Sequence, residues 1–105
     1  MSTPRIAIPH EAITAFCQRW KISEFALFGS VLRDDFGPDS DVDVLVSFAP
    51  EAEYSLFDLV HMEDELRNIF GRNVDLVTRR AVERTTSAWR RQAILGSLAH
   101  VPLAS

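Results

Sequence analysis

Residues 25–48 read FALFGSVLRDDFGPDSDVDVLVSF. An apolar run, 25–28, breaks off at Gly29-Ser30. Eleven residues after Ser30 stands Asp41, followed by Val42, Asp43 and a second apolar run. A short continuous apolar run bounded by glycine fits a buried strand. The segment 34–40, DDFGPDS, is dense in turn formers and reads as a loop. The valine-rich run 42–48 reads as a strand. The stretch therefore predicts strand, glycine turn, one helical turn at 31–33, loop and strand, with a carboxylate pair where the second strand begins.

The flanking sequence supplies helices. Residues 1–8 form a lead-in, and Pro9 suits a first helical turn, where its missing N–H is not needed. Ile13, Phe16, Cys17 and Trp20 repeat at i, i+3, i+4, i+7, so a helix over 9–20 buries one stripe. Ser55 with Asp58 three residues on resembles a capping box. Leu56, Leu59, Val60, Leu66, Ile69 and Phe70 keep a helical period, and Gly71 suits the position just past the helix end. These mark a helix over 55–70, with Glu63, Asp64 and Glu65 read as a solvated face. Residues 74–77 (VDLV) form a third strand, 79–84 a connection or short helical turn, and 88–95 a helix capped by Ser87. Residues 99–103 are a final edge strand or a tail. Helices alternating with short strands define an α/β (α+β) domain: a short mixed sheet of three to four strands flanked by helices.

Bulk properties narrow the function. A chain of 105 residues, 47% hydrophobic and 25% charged, fits one globular domain over 1–105. The net charge of −4 argues against general nucleic-acid binding. The lone Cys17 excludes an internal disulfide and reads as a core thiol. No apolar run approaches the roughly 20 residues of a membrane span. With no signal-peptide pattern in MSTPRIAIPHE, the expected location is cytoplasmic. Charge is segregated: eleven acids and no Lys or Arg lie between positions 34 and 65. From Gly71 onward stand Arg72, Arg79, Arg80, Arg84, Arg90 and Arg91 against Asp75 and Glu83. This is either two solvated faces or an acidic metal site beside a basic surface. His10, His61 and His100 form no motif and are given no role.

Alternation along a strand puts Asp41 and Asp43 on one face, with Cα atoms roughly 6.6 Å apart. Carboxylates that close repel unless a positive charge sits between them, and a hard divalent cation with oxygen ligands is the natural one. Asp75, inside an otherwise apolar strand, is costly unless paired or bound to metal. If its strand lies beside that of Asp43, three acids converge into a two-metal site. Gly29 lets backbone approach a ligand closely. Ser30 opens a turn with free N–H groups suited to triphosphate, and Arg33 adds a charged contact.

GSVLRDDFGPDSDVDVLV resembles the signature of the DNA-polymerase-beta-type nucleotidyltransferase superfamily: Gly-Ser, Asp-x-Asp about a dozen residues on, and a third Asp on a later strand. It is most similar to the minimal nucleotidyltransferases of prokaryotes, over roughly 25–77 and again at Ser87-Ala88-Trp89-Arg90-Arg91. The resemblance implies that Gly29 and Ser30 bind the triphosphate of ATP, with Asp41, Asp43 and Asp75 as a catalytic Mg²⁺-ligating triad. It also implies an antitoxin role: such proteins act against a helical HEPN toxin, and some transfer AMP to it. Asp34 and Leu32 depart from the small residues usual there. The added charge of Asp34 bears on triphosphate binding.

The leading expectation is thus an Mg²⁺-dependent nucleotidyltransferase that modifies a partner toxin, in a hetero-oligomer and without direct nucleic-acid contact. The alternative is an antitoxin that only occludes its toxin. A small-molecule nucleotidyltransferase is disfavoured because 105 residues leave no room for a substrate domain. A P-loop NTPase is excluded by the lack of GxxxxGK[ST].

Overall fold

The computed structural model describes residues 6–33 and 36–103. Asp34 lies outside them, as does most of the lead-in. Helix α1 (His10–Trp20) leads into β1 (Ile22–Phe28) and a 3-10 turn, Gly29–Leu32. Strand β2 (Val42–Phe48), helix α2 (Leu56–Phe70) and β3 (Val74–Thr78) follow, then α3 (Arg79–Glu83), α4 (Ala88–Leu95) and β4 (Ala99–His100). The sheet order is β3-β2-β1-β4. β1 pairs antiparallel with both β2 and β4, whereas β2 and β3 are parallel, joined through α2. This is the mixed sheet flanked by helices that the sequence predicts, with four strands out of the three to four expected. Residues 99–103 begin as the edge strand rather than a tail.

Strand alternation divides the core between two faces. On one, Phe25, Leu27, Val42, Val44, Val46 and Val74 pack with Ile13, Phe16, Met62 and Leu66 from α1 and α2. On the other, Phe28 and Leu45 pack with Val82, and Val77, Ile94, Leu95 and Leu98 close around them. The second face is the thinner one, and it carries the candidate site. Cys17 is buried in the first face, and burial pushes its thiol up to about 12.

The ends of α2 follow the sequence closely. Ser55 Oγ accepts from the Asp58 N–H (3.3 Å) and Asp58 Oδ2 accepts from the Ser55 N–H (2.9 Å), a capping box. Gly71 ends the helix at φ +72°, a conformation glycine adopts without strain.

Several expectations are corrected. β1 starts at Ile22 rather than at Phe25, and it takes in Glu24, whose charge is paired in place. Its carboxylate accepts from Arg79 Nε (2.8 Å) and Nη2 (2.6 Å) and from Ser47 Oγ (2.6 Å), and it meets His100 Nε2 at 2.7 Å. One side chain thus ties together β1, β2, α3 and β4, and His100 has a structural part. In α2, Leu56 and Val60 are exposed, and Met62, absent from the predicted stripe, is fully buried. The acids 63–65 are more than a solvated face. Glu63 accepts from the Leu76 N–H (3.3 Å), and Glu65 accepts from Trp20 Nε1 (3.1 Å) and pairs with Arg19. Residues 79–83 take the second of the two forms expected there, a short helical turn, capped by Thr78.

Candidate active site

The site is built on a row across three strands. Phe28 of β1 stands opposite Asp43 of β2, and Asp43 stands opposite Asp75 of β3. Residues in register share a face, so both acids lie on the thinner face, under α4. The row below, Ala26, Leu45 and Val77, is apolar. It gives the acids a dry floor, because Leu45 is fully buried.

The glycine turn closes the row from one end. Gly29 has φ +75°, and a Cβ there would overlap Oδ2 of Asp43. Only glycine lets the backbone pass that close to the carboxylate. Val31, fully buried, anchors the turn, and the Arg33 N–H closes it on the Ser30 carbonyl (2.9 Å). The Ser30 backbone N–H donates to the Asp43 carboxylate, and Ser30 Oγ donates to the Asp41 carbonyl (3.3 Å).

Asp43 is held above the usual carboxylate range. Burial is the largest cause, then repulsion from Asp75 and Asp41; the Ser30 N–H and the Arg33 charge oppose the rise. An acid strained by two like charges has the electrostatics of a cation site.

A cavity of about 710 Å³ opens on the pair, within the size range of small-molecule sites. Gly29, Arg33, Asp43 and Asp75 line it from the sheet side, Arg90 and Ile94 from α4, and Ser97 from just past the end of α4. Asp41 stands one residue before β2 and lines a neighbouring depression with Ser40, Arg72 and Asn73. Five of the six candidate residues thus gather around one turn and one pair of strands. Gly29, Arg33, Asp43 and Asp75 share the cavity, Ser30 reaches Asp43 through its backbone, and Asp41 opens beside them. Among the described residues no three His, Cys, Asp or Glu side chains form a metal-holding group. The oxygen-only pair of Asp43 and Asp75 does fit Mg²⁺, which is commonly held by one or two carboxylates with substrate phosphate and water completing its shell.

Two contributors escape sequence reasoning. Arg72 Nη1 donates to the carbonyls of Gly37 (3.1 Å) and Ser40 (3.2 Å), with its guanidinium 4.5 Å from the Phe36 ring centroid. It pins the loop leading into Asp41, and nothing in the spacing marks it. Arg90 is one of six arginines in the tail, and only the packing of α4 distinguishes it. The arginines do not make one basic face: Arg79 serves Glu24, Arg72 the loop, and Arg91 Nη1 the Thr85 carbonyl (2.7 Å).

A strand-turn-strand unit that brings Gly-Ser against paired acids defines a nucleotide-transfer class. The chain belongs to the nucleotidyltransferase domain family, whose sequence profile matches residues 10–96. Within that family its likeness is to minimal members. A solved candidate minimal nucleotidyltransferase is 30% identical, with TM-score 0.64 over 90% of this chain and 88% of that one. The protein adenylyltransferase MntA of Thermococcus cleftensis is 36% identical over 66 residues, 63% of this chain and 65% of that protein. A candidate protein adenylyltransferase of Methanocaldococcus jannaschii is 35% identical over 66 residues, 63% and 65%. The match therefore spans just under two thirds of these relatives' length. A toxin–antitoxin complex solved with AMP-PNP shares the fold at TM-score 0.69 and 19% identity, over 92% of this chain and 75% of that one. No helix of the described residues is long and apolar enough to cross a membrane.

Proposed function

We propose that this chain is a cytoplasmic Mg²⁺-dependent adenylyltransferase that acts as an antitoxin by transferring AMP from ATP to a HEPN-type toxin. The observation that carries this is the Asp43–Asp75 register pair, with the Gly29–Ser30 turn closed against Asp43. Gly29, Ser30 and Arg33 receive the triphosphate. Asp41, Asp43 and Asp75 would hold Mg²⁺, which when bound would screen the phosphate charge and lower the pKa of the attacking hydroxyl. Asp75, the more exposed of the register pair, takes the proton of that hydroxyl. The hydroxyl oxygen forms a bond to the α-phosphorus, the bond to the bridging oxygen breaks, and pyrophosphate leaves.

The names of the relatives as protein adenylyltransferases support a protein acceptor. The toxin–antitoxin assemblies that share the fold, one named MntA-HepT, support a toxin as that acceptor. The test is mass spectrometry of the co-purified partner after incubation with ATP and Mg²⁺. The expected result is a gain of one adenylyl group, lost with the Asp41→Asn/Asp43→Asn double variant. Full transfer by that variant would sink the catalytic assignment.

The placement of Asp41 at the neighbouring depression favours keeping a second reading, neutralisation by occlusion alone. A partner silenced without any gain in mass would establish it.

A further inference from the structure

Helix α4 turns Arg90, Ala93 and Ile94 to the cavity, and Ser97 lines it just past the helix end. The spacing of the three helical residues, i, i+3, i+4, is that of one helix face. Ile94 packs on the cluster of Phe28, Leu45 and Val82, and that contact fixes the rotation of the helix. Arg90, one turn earlier on the same face, is aimed into the cavity by the packing of Ile94.

The neighbouring arginine shows what a structural role looks like here. Arg91 lies about 100° round the helix and is spent on the Thr85 carbonyl, which closes the connection between α3 and α4. Among the described residues the Arg90 guanidinium makes no hydrogen bond or ion pair; only its backbone N–H is used, donating to Ser87 Oγ.

The chemistry of the cavity says what Arg90 is for. Its ionisable lining is two acids, Asp43 and Asp75, and two arginines, Arg33 and Arg90. The acids alone would repel a triphosphate. Arg33 follows directly on the glycine turn, on the sheet side. Arg90 stands on the helix side, so a phosphate chain lying between turn and helix meets a cation from each wall. Guanidinium binds phosphate oxygens in pairs, as a lysine cannot. Phe28, Leu32, Val77, Ala93 and Ile94 leave an apolar surface for the nucleoside.

We infer that Arg90 binds the β- and γ-phosphates of the nucleoside triphosphate from the α4 wall and holds the pyrophosphate as it leaves. This rests on the nucleotidyltransferase reading above. The test is calorimetric titration of the full chain, with Mg²⁺, using AMP-PNP, inorganic tripolyphosphate and AMP as probes. Arg90→Ala and Arg90→Gln are expected to weaken AMP-PNP and tripolyphosphate by about tenfold or more. AMP affinity should stay within about twofold, since AMP lacks the phosphates concerned. Arg90→Lys should fall between, and Arg84→Ala, outside the cavity lining, should match the wild type. If the Arg90 variants bind AMP-PNP as the wild type does, or lose AMP in equal proportion, the inference is overturned and the nucleotidyltransferase reading stands. A wild-type chain that binds no AMP-PNP overturns both.

Discussion

Gly29 and Asp43 pack so closely that one methyl group on Gly29 would overlap the Oδ2 oxygen of Asp43. Gly29 also holds φ +75°, where an L side chain costs about 1–2 kcal/mol. Gly29→Ala is therefore expected to lose at least that much stability and to displace the carboxylate. Thermal unfolding and adenylyl transfer, measured together, should both fall. A stable, fully active variant would show that the turn does not set the site.

Asp43 faces Asp75 across two parallel strands, and burial and repulsion hold its pKa up. A carboxyl whose folded pKa is raised loses stability as pH climbs through that range, because the charged form is the disfavoured one. Asp43→Asn removes the charge and keeps an oxygen for the Ser30 N–H. It should melt higher than the wild type at neutral pH while adenylyl transfer disappears.

Glu24 behaves oppositely. The Arg79 guanidinium, helped by Ser47 and His100, lowers its carboxyl from 4.5 to about 2. A lowered folded pKa contributes stability above the unfolded value, lost as pH falls toward the folded one. Glu24→Gln should be less stable than the wild type at neutral pH, and the difference should shrink between pH 4.5 and about pH 2. Melting temperatures across that interval check this.

Arg72 holds the 36–40 loop through two carbonyls and the Phe36 ring. Arg72→Ala removes a contact worth about 0.5–1 kcal/mol for the ring and frees the approach to Asp41. Transfer should fall by more than the stability loss explains. Equal activity would leave the loop without a part in the site.

Met62 is fully buried, whereas Phe57 on the same helix is 80% exposed. Met62→Ala should cost about 2–5 kcal/mol in urea unfolding, and Phe57→Ala no more than about 0.5 kcal/mol. The reverse order would mean that α2 packs through its other face.

The apolar period of α2 shows where sequence reasoning stops. Leu56, Val60 and Leu66 read as one apolar period, yet Val60 stands about 120° round the helix from Leu66; Leu66 is fully buried with Met62, while Leu56 and Val60 are exposed. A run of apolar residues at mixed helical spacings covers more than one face, and packing against the sheet decides which of them is buried. Glu24 is a similar case, since its three partners come from positions 47, 79 and 100.

The features legible along the chain are local. Gly29, the capping pair Ser55 and Asp58, and Gly71 act through their own backbone, so their chemistry is legible at their positions. The strands around Asp43 and Asp75 were legible too, because alternation and β-branched runs are properties of consecutive residues. Tertiary packing aligns Asp43 of β2 with Asp75 of β3, opens Asp41 to one side, and lays α4 over the acids with Arg90 toward them. Register and helix rotation are set by packing between distant segments, where Ile94 meets Phe28 and Leu45, and no spacing along the chain encodes that contact.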